Sequence, residues 1–320
     1  MSNRKPVNRK PINRAAITGR TGAKKSTSIH NWVSGARVRT LPLAIAPVVL
    51  GAGLALSAHK FRWDLTQLAG AVALLLQIGV NFANDYSDGI RGTDAHRVGP
   101  KRLTASGLVR PQAVLRAAGL SFALAALAGL GIVVLTGHYF LLAIGAVAIV
   151  AAWFYTGGKR PYGYAGLGEL AVFVFFGWVA TLGTSFIQIG FLGLPDWLLA
   201  SASGTFAAAV LMVNNIRDLA TDAVSGKHTL AVRLGATRAK WVFTALLWAP
   251  LALLQIVTVV AYPLLFIGWF ALLLVVPATL IVWTARSPKE LILVLKLTSY
   301  ASLLYSVLVL FGVTAVVAVA

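Results

Sequence analysis

Long apolar runs alternate with short polar segments along almost the whole chain. The runs near 41–58, 65–84, 113–136, 138–156, 167–188, 196–216, 240–262, 263–284 and 294–318 each have about the length that carries a helix across a hydrocarbon core of roughly 30 Å. Inside lipid the backbone must satisfy its own hydrogen bonds, so uninterrupted runs of this length predict helices. The pattern therefore predicts an all-α, polytopic transmembrane bundle of nine spans. The seventh and eighth runs meet at Pro263 with almost no connecting loop, and the break is drawn there. Ahead of the first run, "MSNRKPVNRKPINRAAITGRTGAKKSTS" holds eight Lys or Arg, no acid and almost no large hydrophobe. Residues 1–31 read as a disordered basic arm lying at an anionic leaflet, and 32–320 as one membrane domain. The run at 41–58 ends in "LALSA", which resembles a signal-peptidase site, but the polar region before it is too long for a signal peptide and the run is long enough to span.

Composition agrees: 58% of the 320 residues are hydrophobic and the mean hydropathy is +0.80. Charge adds the orientation. The 28 Lys and Arg outnumber the 9 acids for a formal charge of +19, but the bases stand before or between apolar runs, so they serve membrane topology and not nucleic acid. With a cytoplasmic N-terminus, every Lys and Arg except Lys60 and Arg62 falls on one side. This predicts N-terminus in and C-terminus out of the cytoplasmic membrane, with the two longest loops, 84–112 and 217–239, both cytoplasmic. The chain has no cysteine, which excludes disulfides, thiolate nucleophiles and Cys-ligated zinc, and its five His show no ligand spacing.

Five of the nine acids fall in two stretches, "NDYSDGIRGTD" at 84–94 and "NNIRDLATD" at 214–222. Both end apolar runs, at helix C-termini where the macrodipole disfavours carboxylates, so something positive must compensate them. Asp85 and Asp88 are spaced i, i+3, and Asp218 and Asp222 i, i+4, which predicts that each pair projects from one helix face. Two such faces across a cavity suit Mg2+, which takes carboxylate oxygens, keeps some waters and completes its shell with substrate phosphate. The competing reading pairs these acids with Arg91, Arg97, Arg217 or Lys227 as solvated ion pairs. Bases interleaved with the acids, Arg91, Lys101 and Arg102 in the first loop and Arg217, Lys227 and Arg233 in the second, would suit an anionic leaving group or serve topology.

These stretches resemble the two aspartate motifs of the UbiA superfamily of intramembrane aromatic prenyltransferases. "ARVRTLPLAIAPVVLG", "FYTGGKRPYGYAGLGELAVFVFFG" and the GKxTLAxRLG pattern ending at Gly235 look like the branch that prenylates 1,4-dihydroxy-2-naphthoate in menaquinone synthesis. The likeness covers about residues 32–318. One departure sets it apart from ubiquinone-pathway members: Gly92 holds the last position of the first motif and the third acid is Asp94.

The resemblance implies a bundle around a central cavity open to the cytoplasmic face and laterally to lipid. It implies Mg2+-dependent transfer of a polyprenyl group from a polyprenyl diphosphate to 1,4-dihydroxy-2-naphthoate with decarboxylation, giving demethylmenaquinone and diphosphate. By motif position Asp85, Asp88, Asp218 and Asp222 would hold two Mg2+, with Asn81, Asn84 and Asp94 at the first site and Asn214 or Asn215 near the second. Arg91, Lys101, Arg217 and Lys227 would contact diphosphate. Tyr155 and Lys159 are assigned to cation stabilisation and to acceptor or diphosphate contact, with Trp153 and Phe154 as further aromatic faces. Glu169 is read as structural, an acid complementing the dipole at a helix start. Two other functions compete: the same chemistry on another aromatic acceptor, and a divalent-cation transporter. A transporter would need acids along a route through the membrane, and here they collect at one rim. A CDP-alcohol phosphotransferase would need an Ala-Arg pair that "DGIRGTD" lacks.

Overall fold

The structure, a computed structural model, describes residues 28–93 and 102–319, and the side chains of 28–93 and 102–315. Those residues are all-helical. A short α1 (Ile29–Ala36) leads into α2 (Leu41–Ser57), α3 (Trp63–Arg91), α4 (Pro111–Thr136) and α5 (Leu141–Phe154). There follow α6 (Gly168–Ile189), α7 (Leu194–Val224), a single turn α8 (Leu230–Leu234), α9 (Ala236–Val260), α10 (Pro263–Thr284) and α11 (Leu291–Val319). Among the described residues eight helices are long and apolar enough to cross a membrane. The segment expected as the fourth span, α5, is shorter: at 14 residues it reaches about 21 Å. The break expected at Pro263 is present, since α9 stops at Val260 and α10 restarts at Pro263, whose missing N–H suits a helix start.

Two helices run further than their apolar runs. α3 continues past residue 84 to Arg91, where Gly92 closes it at φ 74°, and α7 continues past 216 to Val224. Residues 84–91 and 214–222 are therefore the last turns of two helices, although the loops were drawn from 84 and 217. Residues 1–27 of the basic arm lie outside the described residues. Its last residues do not fit a disordered arm, because α1 already starts at Ile29, with the Ser28 hydroxyl accepting from the His30 N–H at 3.2 Å.

The main core joins α2, α7, α9, α10 and α11 around Phe206, Phe243, Leu247, Leu254, Val275 and Tyr305, all fully buried. A second core, with Phe82, Leu103 and Val114, fixes α3 to α4 and to the segment after residue 102. Within α6, residues Phe173–Leu182 are π-helical. That widened stretch lies directly on α7: a Cβ added to Gly177 would stand 2.7 Å from the Ala200 carbonyl oxygen and from Gly204 Cα.

Between these cores lies a cavity of about 930 Å³. One stripe of α3 lines it from end to end, through Ala69, Val72, Leu76, Val80, Asn84 and Asp88. These recur at helical spacing and change from apolar to polar in the last two turns. From Ala69 to Asp88 the stripe rises roughly 28 Å, nearly the depth of a bilayer's hydrocarbon core.

Candidate active site

The polar end of the cavity is built by the last turns of α3 and α7 and by the connections after α5 and α7. From α3, Asn84 and Asp88 face the cavity, one turn apart. From α7, Asn214, Asn215, Asp218 and Asp222 face it from the other side. Asp85 behaves differently from its expectation. It is buried and does not line the cavity; its two carboxylate oxygens accept the backbone N–H groups of Leu103 and Thr104, each at 2.8 Å. At i, i+3 the two α3 carboxylates point about 60° apart, enough for one to face the cavity and the other the loop after residue 102. Asp94 and Lys101 lie outside the described residues.

Cations compensate the acids, and most of these pairs are buried rather than solvated. Arg217 forks onto its neighbour Asp218, with N···O distances of 2.7 and 2.6 Å, and reaches Asn214 Oδ1 at 2.9 Å. Lys227 stands between the two helix ends, its Nζ 3.4 Å from Asp88 Oδ2 and 4.0 Å from Asp222 Oδ1. The two acidic edges are thus one ammonium apart. Arg91 turns to backbone: its guanidinium donates to the carbonyls of Thr156 and Gly158, closing the end of α3 onto the connection after α5. That connection also supplies the Thr156 hydroxyl, which donates to Asn84 Oδ1 at 2.7 Å.

The other expected residues divide. Asn81 lines the cavity, but its amide donates to the Ala36 carbonyl at 2.9 Å and so fastens α1 to α3. Asn215 donates to Glu169 Oε1 at 2.9 Å. Glu169, in the first turn of α6 as expected, is therefore buried against α7 with Oε2 unpartnered. Tyr155 lines the cavity, its ring edge-on to Tyr162 with centroids 5.6 Å apart. Lys159 and Phe154 are exposed and outside the cavity wall; Trp153, also outside it, is partly buried against the second core. They stand on the outer side of the turn that brings Tyr155 inward.

Two lining residues were not singled out from the sequence. Tyr164, in the short 3-10 turn Tyr162–Ala165, donates its hydroxyl to Asp88 Oδ1. Its ring carries Lys227 Nζ at 4.7 Å and Arg91 Cζ at 5.6 Å from the centroid. Burial, and after it the Asp88 carboxylate, holds the Tyr164 phenol above the usual tyrosine range, while burial pushes Tyr162 up to about 12. Arg37 is the second. It adopts a left-handed conformation at φ 55°, ψ 55° in the joint between α1 and α2 and lines the cavity, and its Nη2 is shut off from solvent without a hydrogen-bond partner. Such a conformation is costly for a non-glycine residue and often marks function. An aromatic in a Gly-rich connection and a base just before a span were the available signals, and both resembled ordinary interfacial residues.

Among the described residues no three acids or histidines converge as a ready metal cluster. The donors facing one another are amide and carboxylate oxygens of Asn84, Asp88, Asp218 and Asp222, the hard ligands Mg2+ selects. Lys227 already sits where positive charge is needed between them, so the set suits a cation shared with an incoming anion.

The model of the UbiA prenyltransferase family matches residues 44–290. The chain is 50% identical over 285 residues to the 1,4-dihydroxy-2-naphthoate octaprenyltransferase of Mycobacterium tuberculosis, covering 88% of this chain and 96% of the relative. It is 39% identical over 262 residues to the Escherichia coli enzyme of the same description, covering 80% and 83%. The structure of a UbiA homologue from Archaeoglobus fulgidus bound to GPP and Mg2+ superposes with a TM-score of 0.66 at 15% identity, over 89% of this chain and 99% of that one.

Proposed function

Since this chain belongs to the UbiA prenyltransferase family, we propose that it transfers a polyprenyl group from a polyprenyl diphosphate to 1,4-dihydroxy-2-naphthoate, with loss of carbon dioxide. One observation carries the reading: Asn84 and Asp88 face Asp218 and Asp222 across a cavity whose remaining lining is mainly apolar. A diphosphate belongs at the first end and an isoprenoid along the second.

Asn84, Asp88, Asp218 and Asp222 are assigned to hold Mg2+, which when bound neutralises the diphosphate and makes it a better leaving group. Lys227 and Arg217 stand beside these acids and supply further positive charge to the same anion. Arg91 is assigned to joining the ends of the site, through its carbonyl partners. The donor's C–O bond breaks with its electron pair leaving on diphosphate, and the allylic fragment becomes cationic. The cavity keeps water from that carbon, and the face of Tyr155 stabilises its charge. The electron-rich ring attacks through the carbon bearing its carboxylate. Loss of carbon dioxide then returns the C–C bonding pair to the ring, giving the reduced, quinol form of demethylmenaquinone.

The acceptor's carboxylate is assigned to Arg37. A guanidinium nitrogen buried without a partner is costly, and an anion presented in the plane of an aromatic ring matches its fork. The acid end is assigned to the cytoplasm, because Lys60 and Arg62, the bases of the opposite side, lie in the α2–α3 connection at the other end of α3. Asp85 is assigned to anchoring the loop after residue 102.

The reading is tested with purified protein, 1,4-dihydroxy-2-naphthoate and a polyprenyl diphosphate. Prenylated product and carbon dioxide are expected with Mg2+ and neither with EDTA; no product with Mg2+, or equal product without it, would refute it.

A further inference from the structure

The two acid motifs are joined by a third segment, the connection after α5, and one side chain makes the junction. The Tyr164 hydroxyl donates to Asp88 Oδ1. The Tyr164 ring lies under Lys227 Nζ at 4.7 Å, and that ammonium reaches Asp88 Oδ2 and Asp222 Oδ1. The Tyr164 carbonyl accepts the His228 N–H at 2.9 Å, so the segment carrying Lys227 is tied to the same residue through the backbone. Asp88 is thereby held on both oxygens, by a hydroxyl on one and an ammonium on the other.

A buried carboxylate so placed needs a cation when no donor is bound, and Lys227 meets that need. When a diphosphate arrives with its own metal, Asp88 Oδ2 has to be released to the metal and the ammonium has to turn to phosphate. The hydroxyl on Oδ1 does not have to move. The ring of Tyr164 offers the ammonium a second electrostatic contact that does not depend on Asp88, so the lysine has a surface to turn on.

Resting on the prenyl-transfer reading above, the geometry points to Tyr164 as a positioning residue with two separable parts. Its hydroxyl orients Asp88 for metal, and its ring retains Lys227 over the cavity for the donor diphosphate.

The two parts are separated by Tyr164→Phe, Tyr164→Trp and Tyr164→Leu in the full-length protein reconstituted in lipid nanodiscs. Mn2+ binding in the presence of inorganic diphosphate, followed by electron paramagnetic resonance with neither substrate present, reads the hydroxyl. Donor KM at saturating metal reads the ring. All three variants are expected to bind Mn2+ on the order of tenfold more weakly, as loss of an outer-shell partner does. Tyr164→Phe and Tyr164→Trp keep a ring and are expected to hold the donor KM near that of the wild type. Tyr164→Leu is expected to raise it about fivefold, the loss of one cation–π contact. Wild-type Mn2+ affinity in Tyr164→Phe would overturn the role of the hydroxyl. A donor KM raised equally in Tyr164→Phe and Tyr164→Trp would overturn that of the ring, whether or not Tyr164→Leu folds. Failure of the wild type to prenylate the naphthoate would instead count against the proposed reaction, because the Mn2+ measurement needs no acceptor.

Discussion

Asp85 and Asp88 stand three residues apart in one motif and invite the same role, yet their surroundings predict opposite outcomes for the same substitution. Asp85 accepts the Leu103 and Thr104 N–H groups at 2.8 Å and faces away from the cavity. A hydrogen bond to a charged acceptor contributes about 1.5–3 kcal/mol, so Asp85→Ala removes two and costs ~3–6 kcal/mol before any water enters. Leu103 is almost fully buried, so its N–H is the harder of the two to rehydrate. Asp85→Asn retains one acceptor oxygen, and its loss is expected to be roughly half as large. Leu103 also packs where a Cβ on Gly35 would stand 2.5 Å from its side chain, so loosening the loop loosens α1 with it. Asp88→Ala also removes the acceptor of the Tyr164 hydroxyl, but Lys227 keeps Asp222 within 4.0 Å, so its unfolding cost is expected to be smaller than that of Asp85→Ala, and turnover is expected to be abolished. The assay is unfolding of the purified variants in mild detergent, with turnover measured per folded molecule. Should Asp85→Ala unfold like the wild type while being as inactive as Asp88→Ala, the assignment of Asp85 to the loop is wrong.

Other variants separate the remaining assignments. Arg37→Gln is expected to raise the KM for naphthoate by roughly 10- to 100-fold, the worth of a charged hydrogen bond, with the donor KM unchanged; a donor effect of equal size would place Arg37 at the diphosphate instead. Gly177→Leu drives a side chain into the Ala200 carbonyl and Gly204, and a cost of about 1–3 kcal/mol or more is expected in the same unfolding assay, larger than for a surface glycine such as Gly119. A single cysteine placed at residue 225 is expected to react with an impermeant maleimide only from the cytoplasmic side. Labelling only from outside would invert the topology.

The spans were readable because lipid leaves few ways to bury a backbone, and the acid motifs because acids are scarce in this chain. How far α3 and α7 run was not, for the same reason. Hydropathy stops at the first polar residue, whereas these helices continue for two further turns with their polar side chains turned into a cavity. Helical spacing said that Asp85 and Asp88 lie near one face but carried no information about what stands on either side of it. That depended on Leu103, which enters from a separate segment. Lys159, like Tyr155, follows from the resemblance at the end of an apolar run, but the turn between them carries it outward. Tyr164 and Arg37 matter through partners distant in sequence, which spacing does not encode.

The order in which those partners occur along the chain also governs how the site can be made. Asp88 finds its hydroxyl partner 76 residues later and its ammonium 139 residues later. At ribosomal rates of 5–20 residues per second, the second interval lasts roughly 7–28 s. Through the first 76 residues of it a carboxylate meant for the interior of a membrane protein has neither partner, and through the rest it lacks the ammonium. Burial without them is costly, so the nascent α3–α4 pair is expected to keep its acid end in interfacial water and to settle only as the later segments arrive. Assembly of the reaction centre would then be among the last events of biosynthesis, and a chain truncated before Lys227 would leave α3 inserted but its acid end unsealed.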